Sequence, residues 1–222
     1  MIRFFDILFS GMALIVLSPL FLIVSLVLAL TGEHEVFYLQ PRVGFGGKDF
    51  YVFKFTTMVK NAEKMAGGLL TQQNDPRVLP FGSFLRKTKI NELPQLLNIF
   101  LGSMSVVGPR PQARVHYELF SEDQKRYISQ LKPGLTGIGS LIFRDEEGIL
   151  ARSPHDFDHT HDRIITPYKG ELEKWYYHHR SLKNYFKIIF LTAFGILKSD
   201  LRVLHRFPDL PAVPAELRGI IG

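Results

Sequence analysis

An uncharged apolar segment near the N-terminus constrains this chain more than any other feature. From Ile7 to Leu30 the sequence has no charged residue and is rich in Leu, Ile, Val and Phe. About 20 apolar residues suffice for a helix to cross a bilayer. A cleaved signal peptide fits poorly, because the apolar run is too long and Asp6 stands at its edge. A buried core helix is the alternative, but small domains seldom contain helices that are apolar on every side. We therefore predict that this segment inserts into a membrane.

Ser18 and Pro19 lie halfway along this segment. A proline inside a helix removes one backbone hydrogen bond and clashes with the preceding turn, which kinks the helix. Each half would be about 17 Å long, roughly half the thickness of the hydrocarbon core. Two interpretations stay open: a kinked helix that enters and leaves through one leaflet, and a kinked helix that spans. The flanking charges show no strong asymmetry, which favours the first.

Composition sets the outline of the remaining chain. A length of 222 residues suits one main domain, so we predict a membrane segment of residues 1–32 and a domain of residues 33–222. The formal charge of +6 suits nucleic acid, an anionic membrane or a phosphorylated substrate. The basic residues are scattered, which argues against nucleic acid. The absence of cysteine excludes disulfides and thiolate catalysis.

Two aromatic and β-branched runs flank residues 44–48, which predicts a β-hairpin. The glycines of this turn match neither a Walker loop nor a dinucleotide fingerprint. Lys54 lies at the end of the second run. Its position suits a phosphate contact and a solvated strand residue equally well.

The stretch from Lys87 to Pro111 combines a helix signal with a rigid arginine. Apolar residues recur at helical spacing after Pro94, which predicts a helix over residues 91–100 with one buried face. The Gly-Pro-Arg-Pro sequence at residues 108–111 holds the guanidinium of Arg110 on a stiff backbone. Arginine binds phosphate through two parallel hydrogen bonds. Together with Glu92 at the helix start, this turn indicates a phosphate or diphosphate site.

Two further segments leave alternatives. Residues 155–162 contain three histidines and three aspartates, which are metal ligands, but no partner cluster is evident elsewhere and a polar surface segment is favoured. From Pro167 to Lys198 a helical pattern, interrupted mainly at Gly195, interleaves aromatic and basic residues. This pattern fits a helix at a membrane interface and a core helix with a solvated basic face equally well.

Several runs resemble, in order and over nearly the whole chain, the bacterial sugar transferases, which are monotopic phosphoglycosyl transferases. The most specific are Glu92-Leu93-Pro94-Gln95 and Gly108-Pro109-Arg110-Pro111. The others are the apolar segment with Ser18-Pro19, and residues 40–44, 53–58, 75–77, 85–91, 104–107, 132–137 and 176–191. Residues 143–147 and 167–169 resemble a sub-group of the family.

The resemblance implies a reaction and a place for it. A phospho-sugar would pass from a UDP-sugar to polyprenyl (undecaprenyl) phosphate with release of UMP, in the first membrane step of exopolysaccharide assembly. The implied fold is α/β and mainly α, in a monotopic protein with a re-entrant kinked N-terminal helix, a small β-hairpin and amphipathic interfacial helices. The implied cofactor is Mg²⁺, and the implied location is the cytoplasmic face of the inner membrane. Nucleic acid is not an expected partner, and a homodimer stays open.

Carried over residue by residue, the resemblance assigns catalysis and Mg²⁺ binding to Asn91 and Glu92. The implied phosphate-binding residues are Arg110, Arg86 and Lys54. The secondary candidates are Asp145, Glu146, Thr136 and Gly137.

The chain departs from the family pattern at its catalytic aspartate, whose position holds Asn91. An amide is not an anionic nucleophile. Other departures are Ser103 and Tyr185, where aspartates are usual, and Thr56, where an arginine is usual. Three explanations stay open. In the first, Glu92 or a carboxylate of residues 145–147 replaces the nucleophile or activates direct attack by the lipid phosphate. The second is a binding scaffold without catalysis, and the third is an engineered Asn91. Retention of Glu92 and Arg110 favours the first.

Overall fold

The computed structural model describes residues 1–65, 75–153, 156, 159–197 and 203–221. It is mainly helical with two two-stranded sheets, which confirms the predicted class with its long N-terminal helix and small hairpin. The chain divides into two units. The first comprises Met1–Asp6, Arg42–Phe50 and Gly102–Gly222, and the second comprises Ile7–Pro41 and Tyr51–Leu101.

The apolar segment forms one helix, α1 (Ile2–Leu30), which contains Pro19. Its length and composition suffice to cross a membrane, and only 11% of its most apolar window is buried within the protein. Ile15 and Leu22 are 75% and 71% exposed. A core helix would bury such side chains, so the alternative of a buried core helix is wrong.

The Ser-Pro pair of α1 resolves a hydrogen-bonding problem that proline creates. Pro19 has no N–H to donate to the carbonyl of Ile15, four residues earlier. The hydroxyl of Ser18 donates to that carbonyl instead, at 2.8 Å. An unsatisfied carbonyl in lipid costs several kcal/mol, so this bond suits a helix that enters a membrane. The choice between a re-entrant and a spanning helix stays a prediction.

The predicted hairpin is confirmed by strands β1 (Phe37–Val43) and β2 (Asp49–Phe55), which pair in one sheet. A 3₁₀ turn over Phe45–Gly47 joins them. Gly46 and Gly47 adopt φ of 72° and 70° there, a left-handed conformation that other residues adopt at a cost. The glycines therefore serve the turn.

The second unit contains α2 (Pro80–Lys87), a 3₁₀ turn (Ile90–Glu92) and α3 (Gln95–Leu101). The predicted helix over residues 91–100 is therefore too long. Pro94 cannot donate to the carbonyl of Ile90, which instead accepts from the N–H of Leu93 at 3.1 Å. This places Asn91 and Glu92 in a separate tight turn before the helix.

In the first unit, β3 (Ser105–Val107) pairs in parallel with β4 (Gly134–Thr136). Short helices follow or intervene: α4 (Arg114–Tyr117), α5 (Glu122–Ile128), α6 (Ile138–Ile142), α7 (Glu146–Arg152) and α10 (Val203–Arg206). A π-helix (His159–Ile165) precedes the two longer helices of this unit, α8 (Thr166–His178) and α9 (Leu182–Leu197).

The predicted interruption at Gly195 is wrong, because α9 runs through that residue. The chain breaks instead between α8 and α9, where Asn184 donates from its side chain to the carbonyl of His179 at 2.7 Å. Helix α9 buries Tyr185, Ile188 and Leu191 and exposes Phe186, Phe190 and Phe194. The exposed face is therefore aromatic as well as basic, and its place at a membrane interface stays a prediction.

Asp6 is the buried polar centre of the first unit, with only 2% of its surface exposed. Its carboxylate accepts hydrogen bonds from the hydroxyl of Ser105 at 3.0 Å, the N–H of Val106 at 2.9 Å and the hydroxyl of Tyr185 at 2.9 Å. Burial, and then the negative charge of Asp6, raise the pKa of Tyr185, so the phenol stays protonated as a donor. Asp6 thus joins the start of α1 to β3 and α9.

Glu173 on α8 is a second buried carboxyl group, 5% exposed. One oxygen accepts from the N–H of Gly139 at 3.3 Å, and the other has no hydrogen-bond partner in the described structure. A Cβ on Gly139 would lie 2.7 Å from Glu173, so glycine permits this approach. Burial raises the pKa of Glu173 to about 7.

We expect Tyr185→Phe to lower the free energy of unfolding by about 1–2 kcal/mol, because it removes one buried hydrogen bond. Asp6→Ala leaves three donors unpaired and should cost about 3–5 kcal/mol. Thermal unfolding of the detergent-solubilised protein, followed by circular dichroism, measures both. Tyr51→Phe removes a hydroxyl from an exposed side chain and should change little. A Tyr185→Phe protein as stable as the parent would contradict a structural role for this bond.

Stability should also depend on Glu173 between pH 4.5 and 7. In this range the unfolded chain ionises Glu173 while the folded protein keeps it protonated, so rising pH destabilises the fold. As the pH rises from 4.5 to 8, the free energy of unfolding of Glu173→Gln should increase by up to about 3 kcal/mol relative to that of the parent protein. Parallel unfolding experiments at both pH values test this, with exposed Glu216→Gln as the control. An unchanged stability difference would show that Glu173 ionises normally.

Candidate active site

An amide side chain docks α3 against the second strand of the hairpin. Asn98 accepts from the N–H of Phe53 at 2.9 Å and donates to the carbonyl of Tyr51 at 2.8 Å. It thereby bonds strand β2 on both sides of one residue, as a neighbouring strand would. Asn98 is 2% exposed, so these bonds are shielded from water. This contact fixes α3, and the turn before it, beside β2.

This docking places Glu92 opposite Lys54. Both residues are candidates from the sequence. The Lys54 Nζ atom lies 3.6 Å from Glu92 Oε1, with side-chain exposures of 19% and 23%. The pair is therefore neither deeply buried nor freely solvated. A carboxylate in this position is accessible to a ligand and has its charge balanced by a cation. Lys54 is therefore a paired and largely covered side chain, and its contact with phosphate stays a prediction.

Arg86 lies on α2, in the same unit as Glu92 and Lys54. Its Nη1 donates to the hydroxyl of Thr57 at 3.4 Å. Gly82, one turn earlier, packs so closely on the backbone of Thr57 that a Cβ would overlap it. Burial lowers the pKa of Arg86, while the charges of Asp75 and Glu92 oppose that shift. A guanidinium remains charged at neutral pH under such a shift, so Arg86 adds a second cation to the surroundings of Glu92.

Asn91 and Thr56, two departures from the family pattern, are buried at 8% and 7% exposure. Asn91 Oδ1 and Thr56 Oγ1 have no hydrogen-bond partner in the described structure. Lys89, which precedes the turn, adopts a left-handed φ of 59°. Such a conformation costs energy for a non-glycine residue and is typical of functional sites. Unpaired acceptors and backbone strain therefore coincide around Glu92.

The donor set of this turn fits Mg²⁺. Glu92 supplies carboxylate oxygens, and the unpaired amide oxygen of Asn91 is a neutral oxygen donor in the adjacent residue. Mg²⁺ prefers oxygen ligands and commonly takes one or two carboxylates together with substrate phosphates. Glu92 is the negatively charged member of this pair, so phosphate oxygens would complete the coordination.

Arg110 lies in the first unit, in the Gly-Pro-Arg-Pro turn after β3, and its side chain is exposed. The turn is held by backbone hydrogen bonds from Gly108 N–H to Thr136 at 2.9 Å and from Gly134 N–H to Pro109 at 2.8 Å. A Cβ on Gly137 would overlap the carbonyl of Gly108. Thr136 shares a hydrogen bond with Thr192 of α9 at 2.7 Å. Thr136 and Gly137 therefore support the turn that presents Arg110.

The acidic secondary candidates have structural partners. Asp145 caps α7 by accepting from the N–H of Gly148, and it pairs with Arg152 at 3.5 Å. Glu146 accepts from Lys169 at 2.7 Å. Burial lowers the pKa of Lys169, and the positive charge of Arg110 adds to that shift. Glu146 and Lys169 thus lie within electrostatic reach of the Arg110 turn.

The sequence candidates accordingly fall into two groups. Lys54, Arg86, Asn91 and Glu92 come together in the second unit. Arg110, Thr136, Gly137, Asp145 and Glu146 belong to the first unit. Sequence reasoning missed Asn98 and Lys169. An amide within the apolar run Leu96-Leu97-Asn98-Ile99 was a usable signal for the first. Lys169 lies in the run of residues 167–169 that resembles a sub-group of the family, which was a usable signal for the second.

It also missed the buried pair of Asp75 and Arg77. Arg77 donates through Nε to Oδ1 of Asp75 at 2.9 Å and through Nη2 to Oδ2 at 2.6 Å. A third bond runs from Nη1 to the carbonyl of Ala62 at 2.8 Å. Both side chains are 4% exposed. The pair therefore stabilises the unit, and no ligand role follows from it.

Comparisons with known proteins point to one family. The family model described as bacterial sugar transferase matches residues 1–199. Exopolysaccharide production protein ExoY from Sinorhizobium fredii is 37% identical over 168 residues, which cover 69% of this chain and 74% of that protein. Undecaprenyl-phosphate galactose phosphotransferase from Salmonella typhimurium is 34% identical over 212 residues, which cover 89% of this chain and 40% of that protein.

A third relative is the UDP-glucose:undecaprenyl-phosphate glucose-1-phosphate transferase of Klebsiella pneumoniae, 38% identical over 143 residues. The match covers 63% of this chain and 30% of that relative. These matches agree with the motifs and with the long apolar helix. The family model also spans most of the chain. The chain therefore belongs to the bacterial sugar transferase family.

Proposed function

We propose that this protein transfers a sugar 1-phosphate from a UDP-sugar to undecaprenyl phosphate and releases UMP, as the first membrane step of exopolysaccharide assembly. The names of two relatives support the lipid acceptor, one of them also supports a UDP-sugar donor, and a third supports exopolysaccharide assembly. The structural observation that carries the proposal is the pairing of Glu92 with Lys54 at 3.6 Å, with Arg86 in the same unit. A carboxylate with balancing cations suits attack on a diphosphate, whose negative charge otherwise repels it.

In the proposed mechanism, a Glu92 oxygen attacks the β-phosphorus of the donor. The bond from that phosphorus to the bridging oxygen breaks, and UMP leaves with the electron pair. An oxygen of the lipid phosphate then attacks the same phosphorus and frees Glu92. Lys54 and Arg86 bind the phosphate oxygens, and Arg110 keeps the phosphate-binding role that the resemblance assigns to it.

Asn91 has a supporting role in this scheme. An amide is not an anionic nucleophile, so Glu92 carries the reaction. When bound, Mg²⁺ would neutralise phosphate charge, held by Glu92 and the unpaired amide oxygen of Asn91. A neutral Asn91 also spares Glu92 the repulsion of a second carboxylate.

We place the protein at the cytoplasmic face of the inner membrane, and the exposed apolar surfaces support the membrane attachment that this requires. Helix α1 presents Ile15, Val16 and Leu22, and α9 presents three phenylalanines beside Lys183. Aromatic residues with flanking lysines are typical of helices that lie in a membrane interface.

UMP release from a panel of UDP-sugars, with undecaprenyl phosphate and Mg²⁺, tests the proposed reaction. We expect release by the chain as it stands. Glu92→Gln should reduce the rate by at least about a hundredfold, the low end of the loss when a catalytic group is removed. Exposed Glu216→Gln is the matched control and should retain the parental rate. Mass spectrometry of the protein without acceptor should find a phospho-sugar on Glu92.

Asn91→Asp separates this proposal from its rival, a scaffold that binds substrates without turnover. The buried, neutral Asn91 is the observation that favours the rival. Release of UMP by Asn91→Asp alone, with donor binding by both proteins, would establish the scaffold. Release by the parent protein that survives Glu92→Gln would instead contradict Glu92 as the nucleophile.

Membrane attachment has its own test. Ile15→Lys or Leu22→Lys places a charge at a cost of about 2.5–3.5 kcal/mol near the helix centre. We therefore expect at least about a fiftyfold loss of binding in liposome flotation, since 1.4 kcal/mol corresponds to tenfold. Leu119→Lys adds the same charge at an exposed position outside α1 and should float like the parent. Full retention by both α1 variants would count against insertion.

A further inference from the structure

A group of metal-ligating side chains lies outside the candidate active site. It consists of His116 on α4 with His161 and Asp162 on the π-helix. The ligand atoms of these three side chains all lie within 4.8 Å of one another. In the sequence, no second group of metal-ligating residues was evident for residues 155–162. In the structure, His116 provides a further ligand, although it precedes His161 by 45 residues. His155 and Asp158 of that run lie outside the described residues.

Both elements that carry these ligands are firmly anchored. Ala113, which precedes α4, and Tyr117 at its end are buried, as are Thr160 and Ile165 of the π-helix. The hydroxyls of Thr160 and Ser153 are also hydrogen-bonded at 2.8 Å. A π-helix costs energy relative to an α-helix and is frequently found at functional sites. Here it directs two consecutive residues toward His116, so a ligand would find the donors largely preorganised.

The contacts within the group bring imidazole and carboxylate donors together, partly through a hydrogen bond that a metal ion would replace. The Nδ1 atom of His161 lies 2.6 Å from Oδ1 of Asp162, and the rings of His116 and His161 meet edge to face at 5.4 Å. A metal ion about 2.0–2.2 Å from each ligand requires donors about 3–3.5 Å apart. Side-chain rotations of about 1 Å would therefore bring the three donors onto one ion.

The surrounding charges are balanced. On the other side of the ring, Oε1 of Glu146 lies 3.8 Å from Nε2 of His161 and also accepts from Lys169 at 2.7 Å. Arg42 acts on His116 as a nearby positive charge, while Asp162 and Glu146 act as negative ones. A carboxylate behind a ligating histidine is a common feature of metal sites, because it orients the ring.

We propose that His116, His161 and Asp162 bind one Zn²⁺ ion that joins α4 to the π-helix. Two imidazole nitrogens with one carboxylate suit zinc and related transition metals, whereas Mg²⁺ prefers oxygen ligands alone. The site is therefore chemically distinct from the Glu92 turn. Because the ion would close a loop of 45 residues, its role is structural stabilisation of the first unit.

Zinc binding to the full-length, detergent-solubilised protein tests the site after treatment with EDTA. Isothermal titration with ZnCl₂ should show one site, and saturation should raise the melting temperature by about 5–10 °C. His116→Ala and His161→Ala should each abolish the binding and the shift. His205→Ala removes an exposed histidine on α10 and should change neither. Glu92→Gln should also bind zinc normally, so this test is independent of the proposed reaction.

X-ray absorption of the zinc-loaded parent protein gives a measurement that needs no variant. We expect two imidazoles in the first coordination sphere. A sphere without imidazole, the absence of zinc binding at micromolar concentrations, or equal binding by both histidine variants would overturn the proposal. Circular dichroism confirms that the variants are folded, and His116→Gln replaces His116→Ala where the latter is not.

Discussion

Three hydrogen bonds to the carboxylate of Asp6 anchor the start of the apolar helix. The outer surface of this helix is largely apolar, so a polar contact at its start has particular weight. Burial of a carboxylate is costly unless donors surround it, and here a strand and a helix provide them. Tyr185 is one of these donors, in a position where the family usually has an aspartate. In this chain an aspartate there would set a second carboxylate against Asp6, so the substitution has a local electrostatic reason.

The departures around Glu92 also have a consistent charge balance. Asn91 in place of aspartate removes a negative charge, and Thr56 in place of arginine removes a positive one, so the net charge of the second unit is unchanged. Both residues are buried, where unpaired charges are expensive. What remains accessible is Glu92 with its cation Lys54. The electrostatics thus concentrate the anionic character of the turn in one side chain, in line with its proposed role as nucleophile.

Local sequence signals predicted the elements whose causes are themselves local. The hairpin follows from two aromatic and β-branched runs around glycines. The helix over residues 91–100 was predicted too long. Pro94 has no N–H for the carbonyl of Ile90, which accepts from Leu93 in a separate turn, so the helix begins only at Gln95. The interruption assigned to Gly195 failed because a glycine inside a well-packed helix is tolerated. The break before α9 is bridged by hydrogen bonds from Asn184, which donates from its side chain to the carbonyl of His179 and from its N–H to the hydroxyl of Ser181.

The sequence by itself determined the family, the apolar helix and the identity of the candidate residues, since motifs and hydropathy are properties of contiguous residues. Only the tertiary structure decided which of these residues meet. It set Lys54 against Glu92 through the bonds of Asn98 to β2, gave Asp6 its partners about 100 and 180 positions later, and brought His116 to His161. Such contacts join residues far apart in the chain, and no local pattern encodes them because they arise from packing of whole elements.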